Sequence, residues 1–188
     1  MAFVTTSDLE DALPWLSACP RDVGTVELIV RRPAFGEREV LYEAQLDPDE
    51  GLVGDDWHTR GSKATEDGSA HPEMQLTLMN ARVISLIAGT RDRWPLAGDQ
   101  LYVDFDLSRA NLPPGTRLEL GSAVIEITDQ PHNGCGKFIR RFGADALKFV
   151  NTPVGRDLNL RGIYARVIEP GTLRVGDEIR RSAATHRG

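Results

Sequence analysis

Apolar and polar residues alternate through most of this chain. "TVELIVRR" sets Val26, Leu28 and Val30 on one face, and "REVLYEAQL" does the same with Val40, Tyr42, Ala44 and Leu46. This period of two marks strands with one buried face. "MQLTLMN" reads as a short strand. "DQLYVDFDL" sets Leu101, Val103, Phe105 and Leu107 against Asp104, Asp106 and Ser108. "RLELGSAVIEITD" gives two short strands around Gly121, and "RGIYARVIEPGTLRVGDEIR" a strand, a turn and a strand. Helical spacing is rarer. "SDLE" predicts a capping box from Ser7 to Glu10, opening a short helical arm over residues 7–17 that Pro14 bends or shortens. Asn80 caps a helix carrying Val83, Ile84, Ile87 and Ala88, which Gly89 ends. "KFIRRFGADALKFVN" spaces Phe138, Phe142, Ala146 and Phe149 as short helices.

Many short strands with few helices predict a mainly β fold. A closed or nearly closed β-barrel is expected, because closure removes exposed edges. The expected division is a helical arm over 1–20, a β-barrel domain over 21–182 and a frayed tail over 183–188. Between the second and third predicted strands runs a long polar loop, residues 47–73. Loops of that length inside a compact domain are functional or disordered.

Composition fits this picture. The 188 residues are 40% hydrophobic and 27% charged, enough to close a core. Net charge is −6, which argues against general nucleic-acid binding and against an anionic membrane surface. Cys19 and Cys135 do not make a disulfide framework. The first residues lack a signal-peptide pattern, and no apolar run reaches the roughly 20 residues that span a bilayer. A cytoplasmic protein with reduced thiols is expected.

The charge is unevenly spread. Residues 131–166 hold seven Lys or Arg against Asp145 and Asp157. Inside this basic stretch lies "PHNGCGKFIRRFG", with Cys135 between Gly134 and Gly136, His132 three residues before it, and Lys137, Arg140 and Arg141 after it. Nearby cations favour a thiolate and offer sites for a phosphate or carboxylate. An inert core thiol beside a solvated basic face fits the same pattern. Asp55, Asp56, His58 and His71 in the long loop are candidate acid/base groups or cation ligands, or simply turn-capping polar residues. One His and one Cys are too few for a structural zinc site.

The order of "GLVGDDWH", "MQLTLMN", "LPPGTRLELGSAVIEITD", the Cys135 segment and "LRGIYARVIEPGTLRVGDEI" resembles the MOSC domain. That domain is the C-terminal module of molybdenum cofactor sulfurases and also occurs as stand-alone bacterial proteins. The resemblance covers residues 21–181. It implies a barrel like the small β domain of pyruvate kinase, and a role in handling sulfur or binding a molybdopterin-type cofactor. Cys135 matches the proposed sulfur carrier or metal ligand. Gly54, Asp55 and His58 match the family's Gly-Asp and His element, and Arg161 and Gly162 its Arg-Gly element. The departures are Pro131, four residues ahead of Cys135 rather than directly before it, and Asp99-Gln100 where a Glu-Asn pair is common.

The resemblance thus implies Cys135 as persulfide carrier or molybdenum ligand, and Lys137, Arg140, Arg141 and Arg161 as phosphate-holding cations, with Asp55, Gly134 and Gly136 alongside. His58 and His132 are the expected proton-transfer or orienting groups. The pyridoxal phosphate-dependent desulfurase domain of the long fusion enzymes has no counterpart in these residues, so a separate cysteine desulfurase or reductase partner is expected. Two alternatives stay open: a reductase or transferase acting on N-hydroxylated or anionic small molecules through a Cys-ligated metal, and a non-catalytic module that delivers cofactor or binds a partner.

Overall fold

The computed structural model describes residues 3–134 and 136–182; Cys135 and the tail expected over 183–188 lie outside the described residues. The strands are β1 (Val23–Arg31), β2 (Glu39–Leu41), β3 (Glu43–Asp47), β4 (Gly51–Leu52), β5 (Leu76–Asn80), β6 (Leu101–Asp104), β7 (Arg117–Leu120), β8 (Ala123–Ile127), β9 (Ile163–Glu169), β10 (Gly171–Arg174) and β11 (Glu178–Arg181). The helices are α1 (Thr6–Asp11), α2 (Leu13–Ser17), α3 (Trp57–Arg60), α4 (Ala81–Ala88), α5 (Gly136–Phe142), α6 (Ala144–Val150) and α7 (Pro153–Asp157).

Seven strands close a barrel in the order β1, β11, β7, β8, β9, β5, β6 and back to β1. Every pairing is antiparallel except β5 with β6, whose parallel register needs a crossover, and α4 supplies it. The last barrel stretch contains three strands rather than the expected two. Of these, β9 and β11 join the barrel, while β10 pairs with β3 in a separate sheet with β4.

The barrel wall is apolar on both faces. Val26, Ile29, Leu78, Leu101, Val103 and Phe105 fill the interior. Leu28, Val30, Met79 and Tyr102 face outward, under α4 and the helices that follow β8. This corrects the expected shared face of Val26, Leu28 and Val30. Pairing with β6 runs Val26 to Val103 and then Leu28 to Tyr102, so Glu27 is an extra residue in a bulge that swaps the faces. Val40 and Tyr42 also depart from expectation, at 58% and 71% exposed. Here β2 pairs with β1 alone beyond the closed barrel, so it is Leu41 that packs on the interior cluster. Leu101, Val103, Phe105 and Leu107 share the interior as expected.

The arm begins earlier than expected. Thr5, not Ser7, is the cap: its hydroxyl accepts from the Asp8 amide at 3.3 Å, and Asp8 accepts from the Thr5 amide at 3.1 Å. Pro14 lies in the first turn of α2, so the arm is two short helices. Leu9 and Leu16 insert into the outer core. Asn80 caps α4 through the Arg82 and Val83 amides, and Gly89 ends it at φ +77°. Among the described residues no helix is long and apolar enough to cross a membrane.

Candidate functional site

The site gathers at the rim of the barrel where β9 begins and where the chain leaves β8. The rim loop 128–134 is pinned at its start. The Thr128 amide donates to the Tyr164 carbonyl at 3.1 Å, and the Thr128 hydroxyl donates to the Glu73 carbonyl at 2.6 Å. The loop thereby lays His132 against Tyr164, with ring centroids 4.5 Å apart.

His132 is buried, with 8% of its side chain exposed. Burial holds its pKa well below the usual imidazole range, and the Arg161 and Arg32 guanidiniums add to the effect. It is therefore neutral at neutral pH. Its Nδ1 lies 3.7 Å from Asp99 Oδ1, beyond hydrogen-bond reach, and has no hydrogen-bond partner among the described residues. Asp99 leads into β6. Arg161 Nη1 donates to both its oxygens, at 3.1 and 2.8 Å, and Nη2 donates to the Ala97 carbonyl at 3.1 Å. The Arg161 guanidinium also sits over the Phe138 ring, 5.1 Å from its centroid. Arg161 Nε is buried without a hydrogen-bond partner among the described residues. Next to it, Gly162 adopts φ +108°, and a Cβ there would come within 2.4 Å of the Leu78 carbonyl oxygen and 3.1 Å of His132 Nδ1. Only glycine lets the rim fold this closely over the imidazole.

A second buried network carries Asp55. Its carboxylate is fully buried and accepts from Arg32 Nε and from the Arg32 amide at 2.9 Å each, and from Arg32 Nη2 at 2.7 Å. Trp57 N at 3.1 Å and Gln100 Nε2 at 3.4 Å complete the set. Gln100 in turn accepts from the Thr77 amide and hydroxyl, tying the long loop to β5. Burial opposes the Arg32 charge, but Asp55 outweighs it and raises the guanidinium pKa.

Beside His132 opens a cavity of about 290 Å³. One side is the rim loop with the start of β9. The other is α6, α7 and the turn carrying Arg109 and Leu112. Leu112, Ile127, Val150 and Ile163 make an apolar wall, and Arg109, Arg156, Arg161, Asn133 and Asp129 contribute polar groups.

The expected site residues scatter around this cavity. His132 and Arg161 line it. Asp55 belongs to the buried network, and His58 is exposed on α3, 5.9 Å from the Trp57 ring. Gly134 packs so tightly that a Cβ would meet Leu147 at 2.3 Å, whereas Gly136 opens α5 with free space around it. Lys137 lies over the exposed Phe35 ring at 4.7 Å, Arg140 is exposed, and Arg141 donates to the Leu96 carbonyl. Of the four expected phosphate-holding cations, Arg161 is the one that borders the cavity. The sequence reading passed over Arg109 and Arg32, and counted Arg156 only as one of a basic run. It noted Asp99 only as a departure. Its pairing with Arg161, 62 residues away, has no local signature.

The family model of the MOSC domain matches residues 65–180. The crystal structure of the YuaD protein from Bacillus subtilis superposes with a TM-score of 0.62 at 18% identity, over 86% of this chain and 97% of that one. YiiM from Escherichia coli gives 0.53 at 18% identity, over 86% and 71% of the two chains. YiiM from Geobacillus stearothermophilus gives 0.51 at 12% identity, over 89% and 76%. No curated protein sequence matches this one. At these identities the structural likeness speaks for the fold, while the family model spans well over half of the sequence: the chain belongs to the MOSC domain family.

Proposed function

We propose that this MOSC domain handles a metal–sulfur cofactor, with Cys135 as the thiolate that ligates a molybdopterin-bound molybdenum or carries sulfur toward it. The supporting observation is His132: a buried, neutral imidazole beside the Asp99–Arg161 pair, bordering the cavity three residues before Cys135. The donor set fits such a cofactor better than a bare ion. Among the described residues no three His, Cys, Asp or Glu side chains come together as a metal cage. A metal that arrives with its own sulfur ligands needs a single soft protein ligand, which a thiolate provides. The cavity, at about 290 Å³, lies just below the roughly 300–1,000 Å³ range of ligand pockets and suits one end of such a molecule. When bound, the cofactor would supply the redox or sulfur-transfer chemistry, and the protein the positioning and proton control.

Each side chain then has a task. Asp99, fixed by Arg161, faces the Nδ1 side of His132 and favours the tautomer with hydrogen there, leaving Nε2 free to take or return a proton. Arg161 Nε offers a buried N–H to an anionic or carbonyl group. Tyr164, its pKa raised by burial and next by the Asp99 charge, stays protonated beneath the imidazole. A separate cysteine desulfurase or reductase acts as the partner.

The test is purification from a host that makes the cofactor, followed by molybdenum analysis and intact mass. Either stoichiometric molybdenum or a sulfur adduct is expected, lost in Cys135→Ser. Absence of both under full donor supply sinks the proposal. The apolar wall beside a neutral imidazole also favours a second reading, reduction of N-hydroxylated small molecules at the same thiol-ligated metal. Substrate-dependent turnover that disappears in Cys135→Ser separates that reading from pure cofactor delivery.

A further inference from the structure

The cavity's two exposed arginines make no polar side-chain contact among the described residues. Arg109 and Arg156 both border it, and neither guanidinium has a hydrogen-bond or ion-pair partner among the described residues. Their chain segments are tied together, since the Arg109 amide donates to the Asp157 carbonyl at 2.9 Å. The fold thus keeps two unneutralised cations at one opening, against the single carboxylate of Asp129. Several other arginines are matched by carboxylates: Arg117 and Arg166 flank Glu126, Arg82 meets Asp104, and Arg180 meets Glu119. Two of the residues lining the cavity also carry buried nitrogens with no hydrogen-bond partner among the described residues, Arg161 Nε and His132 Nδ1, on side chains about nine-tenths buried.

We infer that Arg109 and Arg156 form an anion-reading subsite, and that the cavity takes a small organic phosphate, its phosphoryl group at the two arginines and its body against the apolar wall. Two guanidiniums on separate segments suit a dianion with three peripheral oxygens, whereas a carboxylate is satisfied by one bidentate arginine. The apolar wall of Leu112, Ile127 and Val150 favours a phosphate carried on an organic body over the free ion. The inference deepens the proposed function by naming the charged end of its ligand, and relies on that reading only for what lies at the other end.

Phenyl phosphate is the probe, titrated calorimetrically into full-length Cys135→Ser protein free of molybdenum. Saturable binding is expected, weakening as salt is raised. Arg109→Gln/Arg156→Gln should lower affinity by about tenfold or more with an unchanged circular-dichroism spectrum, and Lys63→Gln, in the exposed polar loop and not among the cavity's lining residues, should leave it alone. Failure of the folded parent to bind, or binding of the double variant within about twofold of the parent, overturns the subsite. Equal affinity for phenol shows that the phosphoryl group is not read, and equal affinity for benzoate overturns the choice of phosphate. Because the probe needs neither thiol nor metal, binding can persist when no molybdenum or sulfur adduct is found, and fail when they are. The two proposals therefore stand or fall separately.

Discussion

Replacing Asp55 with asparagine keeps the shape of the side chain and removes one charge. Its two carboxylate oxygens together meet five donors: the Arg32 amide and Nε on one, and Arg32 Nη2, the Trp57 amide and Gln100 Nε2 on the other. However the new amide turns, its NH2 faces at least two N–H groups. Arg32, itself about nine-tenths buried, is left holding a charge without a counter-ion. Breaking one partner of such a buried pair costs about 3–5 kcal/mol. For a chain of this length each kcal/mol lowers Tm by about 2–4 °C, so Asp55→Asn should melt about 6–20 °C below the parent. Arg32→Met in the same background removes the stranded cation and should restore part of the loss, with a coupling of about 2 kcal/mol or more in the double-mutant cycle. Thermal and urea unfolding followed by circular dichroism measure both. A drop in Tm under about 2 °C, or additive effects of the two substitutions, would refute the view that Asp55 holds the long loop to the barrel.

Two further outcomes follow from the rim. His132 titrates near 6.5 when unfolded and well below that when folded, so the unfolded chain binds more protons between the two values. Stability should therefore rise with pH across that window, and fall as pH drops through about 6.5 by up to about 1.4 kcal/mol per pH unit; His132→Gln should flatten this limb in urea unfolding, and an unchanged slope would contradict the assigned neutrality. Gly162→Ala forces an L side chain into φ +108° and within 2.4 Å of a backbone oxygen. It should cost about 1–3 kcal/mol and displace the imidazole, seen as loss of the His132–Tyr164 contact by NMR, and a variant with parental stability and shifts would show that the rim does not need glycine.

The barrel was readable because its evidence is local. Alternation in residues 101–107, the turn at Gly121 and the Asn80 cap are set by neighbours along the chain, and the described residues follow them. The bulge at Glu27 was not readable, because both faces of β1 are apolar and a shift of one residue leaves no polar misfit to flag it. Val40 and Tyr42 depart for the opposite reason: alternation is present, but β2 lies outside the closed barrel and Tyr42 falls in the bend between β2 and β3.

For the site, counting charge along the sequence measured the wrong quantity. Seven basic residues over 131–166 suggest convergence, yet helices and strands turn successive side chains to different sides. Arg141 is spent on the Leu96 carbonyl, Lys137 on the Phe35 ring and Arg166 on Glu126, while Arg109, outside the segment altogether, reaches the cavity. Of the predicted cations, Arg161 has the most constrained position because Asp99 and the Ala97 carbonyl leave its guanidinium little freedom. The rim is accordingly built in two tiers. The Asp55–Arg32 and Asp99–Arg161 ion pairs tie the rim together, and beside them His132 Nδ1, Arg161 Nε, Arg109 and Arg156 retain unused hydrogen-bonding capacity. Unused capacity next to rigid support is the arrangement a ligand site needs, since the groups that must meet a ligand then lose little freedom on binding it. That is why the chemistry is expected beside the pinned rim loop of residues 128–134, rather than in the longer polar loop of residues 47–73.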